Sequence, residues 1–479
     1  MKRFFKAALC FLTTLAMCVS IAVPAAAATS VNAASAQEFV SGMGTGWNLG
    51  NAFDASDCTW LSDEMDYESA WNGAKTTKAL ISEIKKMGYK TIRIPVSWHN
   101  HIDSKMNISK KWMARVKEVV DWCVDEDLYV IINIHHDISK DYFYPDSAHL
   151  ESSNKYVKTI WTQIANTFKS YGNKVIFEGI NEPRAVGTNH EWWFNVNNIS
   201  STVQDYITTL NKLNQTFVDT VRATGGNNKS RYLMISGYDT SCDGITNKYF
   251  AMPTDTAKDK LIATVHIYSE KPKEYEALMD KAYNKYVKNG IPVIIGEFGT
   301  VAATKNKAEV EGNFVAAAAE RLMPCIRWDN NAFKSNDGKE TYGLIDRKTV
   351  TWKYKDAAQA AVKNGVIKAS SSGSTNQSVS KPSSGTSTSS DKMTLTAKKV
   401  SSTSIKLSWK AVSGAVAYRV YLYNAKTNAY EKCVTLKGGT SYTFKNLSSG
   451  TYKYKIAPLY LENGAYKRGT VSDTAAVKL

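Results

Sequence analysis

The 479-residue sequence predicts an α/β fold: a (β/α)8 TIM barrel, followed by a Ser/Thr-rich linker and a small all-β sandwich. Three observations carry that prediction. Eight short apolar runs recur between stretches of helical periodicity, and one long polar run interrupts the chain. Beyond that run, the pattern changes to strict alternation of apolar and polar residues.

The eight runs are TGWNLG (45–50), TIRIPV (91–96), YVIINIH (129–135), VIFEGIN (175–181), YLMISGY (232–238), IATVHIY (262–268), PVIIGEF (292–298) and PCIRWDN (324–330). Runs that are apolar at nearly every position belong to strands buried on both faces, as in a parallel sheet. Between several of them lie amphipathic patterns such as TKALISEIKKMG, WMARVKEVVDWCVDED and YVKTIWTQIANTFKSYG. Eight β/α repeats in this length point to the barrel. An open, doubly wound sheet is the alternative, but no Gly-rich phosphate fingerprint follows the first run.

The chain divides into four parts on this reading. Residues 1–28 combine the basic start MKRFFK, an apolar run from Ala7 to Val23, Pro24 and a small-residue end, the pattern of a secretory signal peptide. That run is short for a membrane anchor, so the expectation is a secreted protein with no membrane span. Residues 37–366 form the barrel and 367–392 the linker, whose core ASSSGSTNQSVSKPSSGTSTSS has no apolar surface to bury. Residues 393–479 carry SIKLSWKAV, AYRVYLYNA, SYTFKNL and TYKYKIAPLY, half-buried antiparallel strands of a sandwich with Trp409 in its core.

The net charge of +16 is concentrated at the end of the chain. Residues 393–479 hold 14 basic and 3 acidic residues, a net of +11, so the barrel itself is nearly neutral. A basic module suggests weak contact with an anionic surface such as a cell wall. With no nucleic-acid motif in an exported chain, no nucleic acid is expected as partner. Five cysteines follow the signal peptide, scattered and odd in number, so neither a disulfide framework nor a metal cluster is indicated. A Cys58–Cys242 bridge stays open. Cys123 and Cys325 read as small apolar core residues.

In such a barrel the active site lies at the C-terminal ends of the strands. Those ends here are unusually polar: Arg93 on the second strand, His135 and His136 on the third, Asn181 and Glu182 on the fourth. His266 and Tyr268 end the sixth, Glu297 the seventh and Trp328 the eighth. Buried charge costs several kcal/mol unless paired, so packing does not explain them. Glu182 and Glu297 supply two carboxylates, the minimum equipment for cleaving a glycosidic bond. Glu178, four residues before Glu182 on the same strand face, reads as a buried, paired structural residue. Trp112, Trp122 and Trp161 fall at core-facing helix positions.

The motifs GWNLGNAFDA, TIRIPVSWHNH, IINIHHD, FEGINEPR, TVHIY, IGEFGT and RWDN, spread over nearly the whole domain, resemble glycoside hydrolase family 5, the cellulase family of clan A. They are most similar to its subfamily-four endoglucanases, which cut β-1,4-glucans, xyloglucan and mixed-linkage β-glucan. The resemblance implies a retaining mechanism without cofactor or metal, with Glu182 as general acid/base and Glu297 as nucleophile. It implies Arg93 and Tyr268 as partners of Glu297, and Asn181 as the contact to the sugar 2-hydroxyl. His135 and His266 would hold hydroxyls and the acid/base, and Trp328 would be the stacking platform. His136, Asn51, Trp47 and Trp98 are candidate substrate contacts. On this reading Glu182 should have a raised pKa and Glu297 should stay ionised.

Two departures stand out. Arg327 occupies a place where related sequences often carry an aromatic residue, and the loop after the sixth strand looks short. The substrate is therefore open between β-glucan and another β-linked backbone such as mannan. A carbohydrate-binding or adhesion protein without catalysis is the alternative from another class. The last module resembles a fibronectin type III domain.

Overall fold

Each of the eight runs forms a strand in the computed structural model: β1 Gly46–Leu49, β2 Thr91–Ile94, β3 Tyr129–Asn133, β4 Val175–Glu178, β5 Leu233–Ser236, β6 Leu261–His266, β7 Val293–Phe298 and β8 Cys325–Asp329. They pair in parallel in that order, and β1 closes on β8. The structure describes residues 36–335, 340–367 and 393–479, apart from 413–414, 425–428, 437–439, 446 and 463–464. The expected signal peptide and the linker beyond residue 367 lie outside the described residues. No described helix is long and apolar enough to cross a membrane.

Side-chain alternation sets the layers of the barrel. Ile131, Ile176, Met234, Ile262, Ile294 and Ile326 fill the bottom of the interior, closed by Phe39, Val40 and Met43 of the first helix region. The other set, including Ile92, Ile132, Phe177, Leu233, Val265 and Ile295, faces the surrounding helices. Each such residue, once fully buried, contributes about 1.5–3 kcal/mol. Two residues above the interior isoleucines the same alternation brings Asn133 and Glu178 into register, and Arg93 pairs with Ile131 and Asn48. This polar layer is the floor of the site. Ion pairing there roughly cancels desolvation, so its presence is not explained by stability.

The helices start where the sequence offers caps. Thr77, Ser109, Ser200 and Ser241 each accept a hydrogen bond from a backbone N–H in the first turn of the following helix. Trp112 and Trp161 are fully buried, and Trp122 packs at the edge of the core. The free thiols of Cys58 and Cys242 correct the open bridge between them: both are buried and unpaired with each other. Arg327 also finds its reason here. It lies on β8, fully buried, and forms an ion pair with Glu311 at 2.6 Å. It also donates to the Thr300 carbonyl at 3.1 Å and the Tyr342 carbonyl at 2.7 Å. After β6, residues 267–271 alone precede the helix Pro272–Lys285, so that loop is short. A two-stranded hairpin, β9 Ile345–Asp346 and β10 Thr351–Trp352, follows β8.

The chain divides into two compact units, up to Ser372 and from Gly373. The second contains two antiparallel sheets. One joins β11 Leu395–Ser401, β12 Ser404–Trp409 and β15 Ser441–Phe444. The other joins β14 Ala429–Leu436, β13 Ala417–Asn424, β16 Thr451–Glu462 and β17 Ala465–Arg468, with β18 Ala475–Lys478 also on β16. Their shared core contains Ile405, Leu407, Trp409, Tyr418, Val420, Tyr454 and Ile456.

Candidate active site

Arg93 organises the floor of the barrel mouth. Its guanidinium is fully buried and donates to Glu178 at 2.6 Å, Asn48 at 2.9 Å, Glu297 at 2.8 Å and Asn181 at 2.6 Å. The planar fork suits such a hub, because each donor direction is fixed. Glu297 takes one of these bonds on Oε1, and the Tyr268 hydroxyl donates to its Oε2 at 2.8 Å. Both oxygens of the carboxylate are thus oriented.

A β-bulge aims Glu297. The β6–β7 register runs Val265 with Ile295, then His266 with Glu297, so Gly296 is the extra residue. A Cβ there would stand 2.8 Å from Thr264 Oγ1 and 3.1 Å from His266 Nε2, which leaves room only for glycine. The bulge puts His266 beside both carboxylates: Nδ1 lies 2.8 Å from Glu182 Oε1 and 3.6 Å from Glu297 Oε2.

Glu182 lies beyond the end of β4, which corrects the expectation that it shares a strand with Glu178. Chain direction past Glu178 is held by Gly179 and Asn181, whose N–H groups donate to Met234 and Ile134. Arg184 donates to the Glu182 carbonyl at 3.1 Å and lies 3.7 Å from its carboxylate. Glu178 is buried and paired as expected. It is not remote from the chemistry, however, since it shares Arg93 with Glu297.

The electrostatics differ from the sequence expectation. Burial opposes charge on both carboxyls. At Glu182 the hydrogen bond and positive charge of His266, with Arg184, outweigh it and hold the group below its ordinary value. At Glu297 burial prevails over His266 and Arg93, and repulsion from Glu182 adds to it, so that group is raised. His266 is itself raised: burial is outweighed by Glu297 and by the bond to Glu182. Two close carboxylates and an imidazole titrate as a unit.

His135 is nearly inaccessible and its Nδ1 faces the Asn133 amide nitrogen at 3.0 Å. The side-chain oxygen Oδ1 of Asn133 accepts from Val96 N–H, which fixes the amide and leaves His135 Nδ1 as acceptor. Burial and the surrounding cations push its pKa well down, so it is a neutral ring with the proton on Nε2. Trp328 lies parallel to it, with ring centroids 5.7 Å apart, over Gly50, where a Cβ would come within 2.6 Å of the indole. His136 continues the row toward the exposed Trp71, 5.7 Å away, and burial holds it down at about 4. Asn51 takes a left-handed backbone with φ 58°, and its N–H donates to Asp54.

Trp47 and Trp98 are not brought to the cleft. Both have no exposed surface; Arg347 covers the Trp47 ring, and the Trp98 indole donates to the Asn133 carbonyl. Strand-end position alone had suggested contact, but Trp47 takes the outward parity of β1 and Trp98 lies four residues past the end of β2, and both pack in the core. Several site residues escaped the sequence reading: Asn48, Arg184, Asp239 and the exposed tryptophans Trp71 and Trp192, which lie against His136 and Arg184. The last two carried a signal, being large aromatics within polar stretches of sequence. Two groups place three ligand-type atoms within 4.8 Å of one another, Asp54–His135–His136 and Glu182–His266–Glu297. In the second, His266 is already hydrogen-bonded to Glu182, and Glu297 to Arg93 and Tyr268.

A parallel barrel with a clamped carboxylate on β7 and a second carboxylate after β4 defines a glycoside hydrolase of the two-carboxylate class. The sequence pattern described as Cellulase (glycosyl hydrolase family 5) matches residues 53–334, and the chain belongs to that family. It is 37% identical over 352 residues to Endoglucanase A of Clostridium longisporum, covering 69% of this chain and 66% of that protein. It is 35% identical over 356 residues to Endoglucanase A of Ruminococcus albus, covering 69% and 93%. Among solved structures, a glycoside hydrolase 5 lichenase from Caldicellulosiruptor sp. F32 in complex with cellotetraose shares 45% identity at a TM-score of 0.66, covering 70% of this chain and 96% of that one.

Proposed function

We propose that this protein is a secreted, retaining endo-β-1,4-glucanase acting on cellulose-like glucans, with xyloglucan and mixed-linkage β-glucan within its range. The observation that carries the reading is the separation of the carboxylates. An oxygen of Glu182 and one of Glu297 lie within 4.8 Å of each other. That is the close spacing of retaining enzymes, without the wider gap that inversion needs for a water.

Glu297, held by Arg93 and Tyr268, attacks the anomeric carbon as Glu182 protonates the leaving oxygen, giving a covalent glycosyl-enzyme. Glu182 then takes a proton from water, which hydrolyses the ester. The low Glu182 and raised His266 locate a proton on the hydrogen bond between them. Transfer along that bond leaves a neutral imidazole and a protonated Glu182, the form the first step requires. Esterification also removes the negative charge of Glu297, which favours Glu182 as base in the second step. Asn181, fixed by Arg93, faces the 2-hydroxyl, and the neutral His135 offers its Nε2–H to a hydroxyl.

Endo action is supported by aromatic and polar groups that continue beyond the pair. Trp328, His135, His136 and Trp71 form a row of neighbouring rings. Arg184, 3.7 Å from the Glu182 carboxylate, lies 3.9 Å from the ring of the exposed Trp192. Such rings stack on sugar faces along a polymer. The lichenase and endoglucanase relatives support β-glucan over mannan. The second unit reads as a fibronectin type III-like spacer with weak cell-wall contact.

Product stereochemistry tests this reading. Proton NMR during hydrolysis of a soluble cello-oligosaccharide should show the β-anomer first, and a polysaccharide panel should favour β-glucans with mixed oligomeric products. First appearance of the α-anomer, or hydrolysis of mannan alone, contradicts it.

A further inference from the structure

We propose that the outer face of the β14–β13–β16–β17 sheet in the second unit binds a carboxylate-bearing polysaccharide. Along β13, Tyr418, Val420 and Leu422 face the core, so Arg419, Tyr421 and Tyr423 face out. Along β16, Tyr454 and Ile456 face in and Lys453 and Lys455 face out, with Tyr421 in register with Lys455. Cation and ring contacts confirm the shared face. The Lys453 ammonium lies 5.2 Å from the Tyr423 ring and that of Lys455 4.5 Å from Tyr430. Arg468 lies over Tyr421 at 6.0 Å, and the rings of Tyr423 and Tyr430 are 5.3 Å apart.

The occupant follows from charge and from which surfaces remain available. The unit carries 14 basic and 3 acidic residues. Its outer tyrosines already hold cations over their rings, so a neutral glucan meets few bare platforms. A polymer with repeated carboxylates meets ammonium and guanidinium groups in fixed positions, with Lys453 and Lys455 roughly 6.8 Å apart along the strand. Each exposed ion pair is individually weak and screened by salt, so binding needs several at once and falls with ionic strength. The choice of a polysaccharide over other polyanions rests on the reading of the first unit as a polysaccharide hydrolase.

The test is affinity electrophoresis of the full chain carrying Glu297→Gln in native gels containing polygalacturonate. Lys453→Glu with Lys455→Glu should weaken retention at least about tenfold. The same charge change on the other sheet, Lys398→Glu with Lys399→Glu, should weaken it less than about twofold. Circular dichroism checks that each variant is folded. Equal loss in both double variants would reduce the effect to net charge and overturn the proposal. So would retention by double-stranded DNA or by phosphatidylserine vesicles as strong as by polygalacturonate at matched charge. Hydrolysis of a neutral β-glucan by the chain with Glu297 intact reads the first unit separately, so failure there strikes the barrel assignment and leaves the gel result to decide this face.

Discussion

Arg93 was legible as a partner of Glu297, but its bond to Glu178 was not. A sequence shows that two residues lie on neighbouring strands; it does not show that their alternation turns both inward at the same height. The same lack of parity information made Trp47 a candidate cleft contact, and the path of the chain past β2, equally invisible in sequence, did so for Trp98. Asp239 shows what burial adds. Burial, reinforced by the charge of Glu182, pushes its carboxyl up to about 8. An unfolded chain ionises the same group near 4, so between about pH 4 and 8 only the folded state keeps the proton. Stability from this group is therefore present in acid and lost as pH rises toward 8. Asp239→Asn is neutral throughout that window. Denaturant unfolding should show the variant's advantage over the wild type growing from pH 5 to pH 8 and levelling above. A difference constant with pH would show that Asp239 does not titrate there.

All eight barrel strands could be read from apolar runs, because strands buried on both faces leave an unbroken signature. The bulge in β7 could not, since Gly296 reads as one more small residue in IIGEF. Its place in the register decides where both Glu297 and His266 point. Gly296→Ala should fold, yet lose about 10²-fold in kcat/KM on a soluble β-glucan, the usual effect of a displacement near 1 Å at a reacting centre. Activity within threefold of wild type would mean that the bulge does not set the geometry. At β8, Arg327 is a buried ion-pair partner rather than a cleft residue. Arg327→Phe alone leaves the Glu311 charge stranded and should cost about 3–5 kcal/mol in unfolding free energy. Arg327→Phe with Glu311→Leu should recover most of that loss. An equal loss in single and double variants would show that packing, not charge, is the reason for the pair.

The whole molecule joins a nearly neutral barrel to a basic sandwich, and that division could be read from composition and from the Ser/Thr-rich run between them. The location of the site and its two carboxylates could be inferred because the polar residues fall at the ends of otherwise apolar strands, whereas the substrate class came only from the resemblance of the motifs. What composition cannot give is the protonation pattern of Glu182, His266 and Glu297, which depends on distances of a few ångströms within the triad. The central claim is that Glu297 is the nucleophile of a double displacement. It is tested by incubating the protein with a 2-deoxy-2-fluoro-cellobioside bearing a good leaving group, then mapping the adduct by mass spectrometry. The account predicts a stable gain of one disaccharide, located on Glu297. A label on Glu182 or Glu178, or no covalent adduct while the substrate is turned over with inversion, would contradict it.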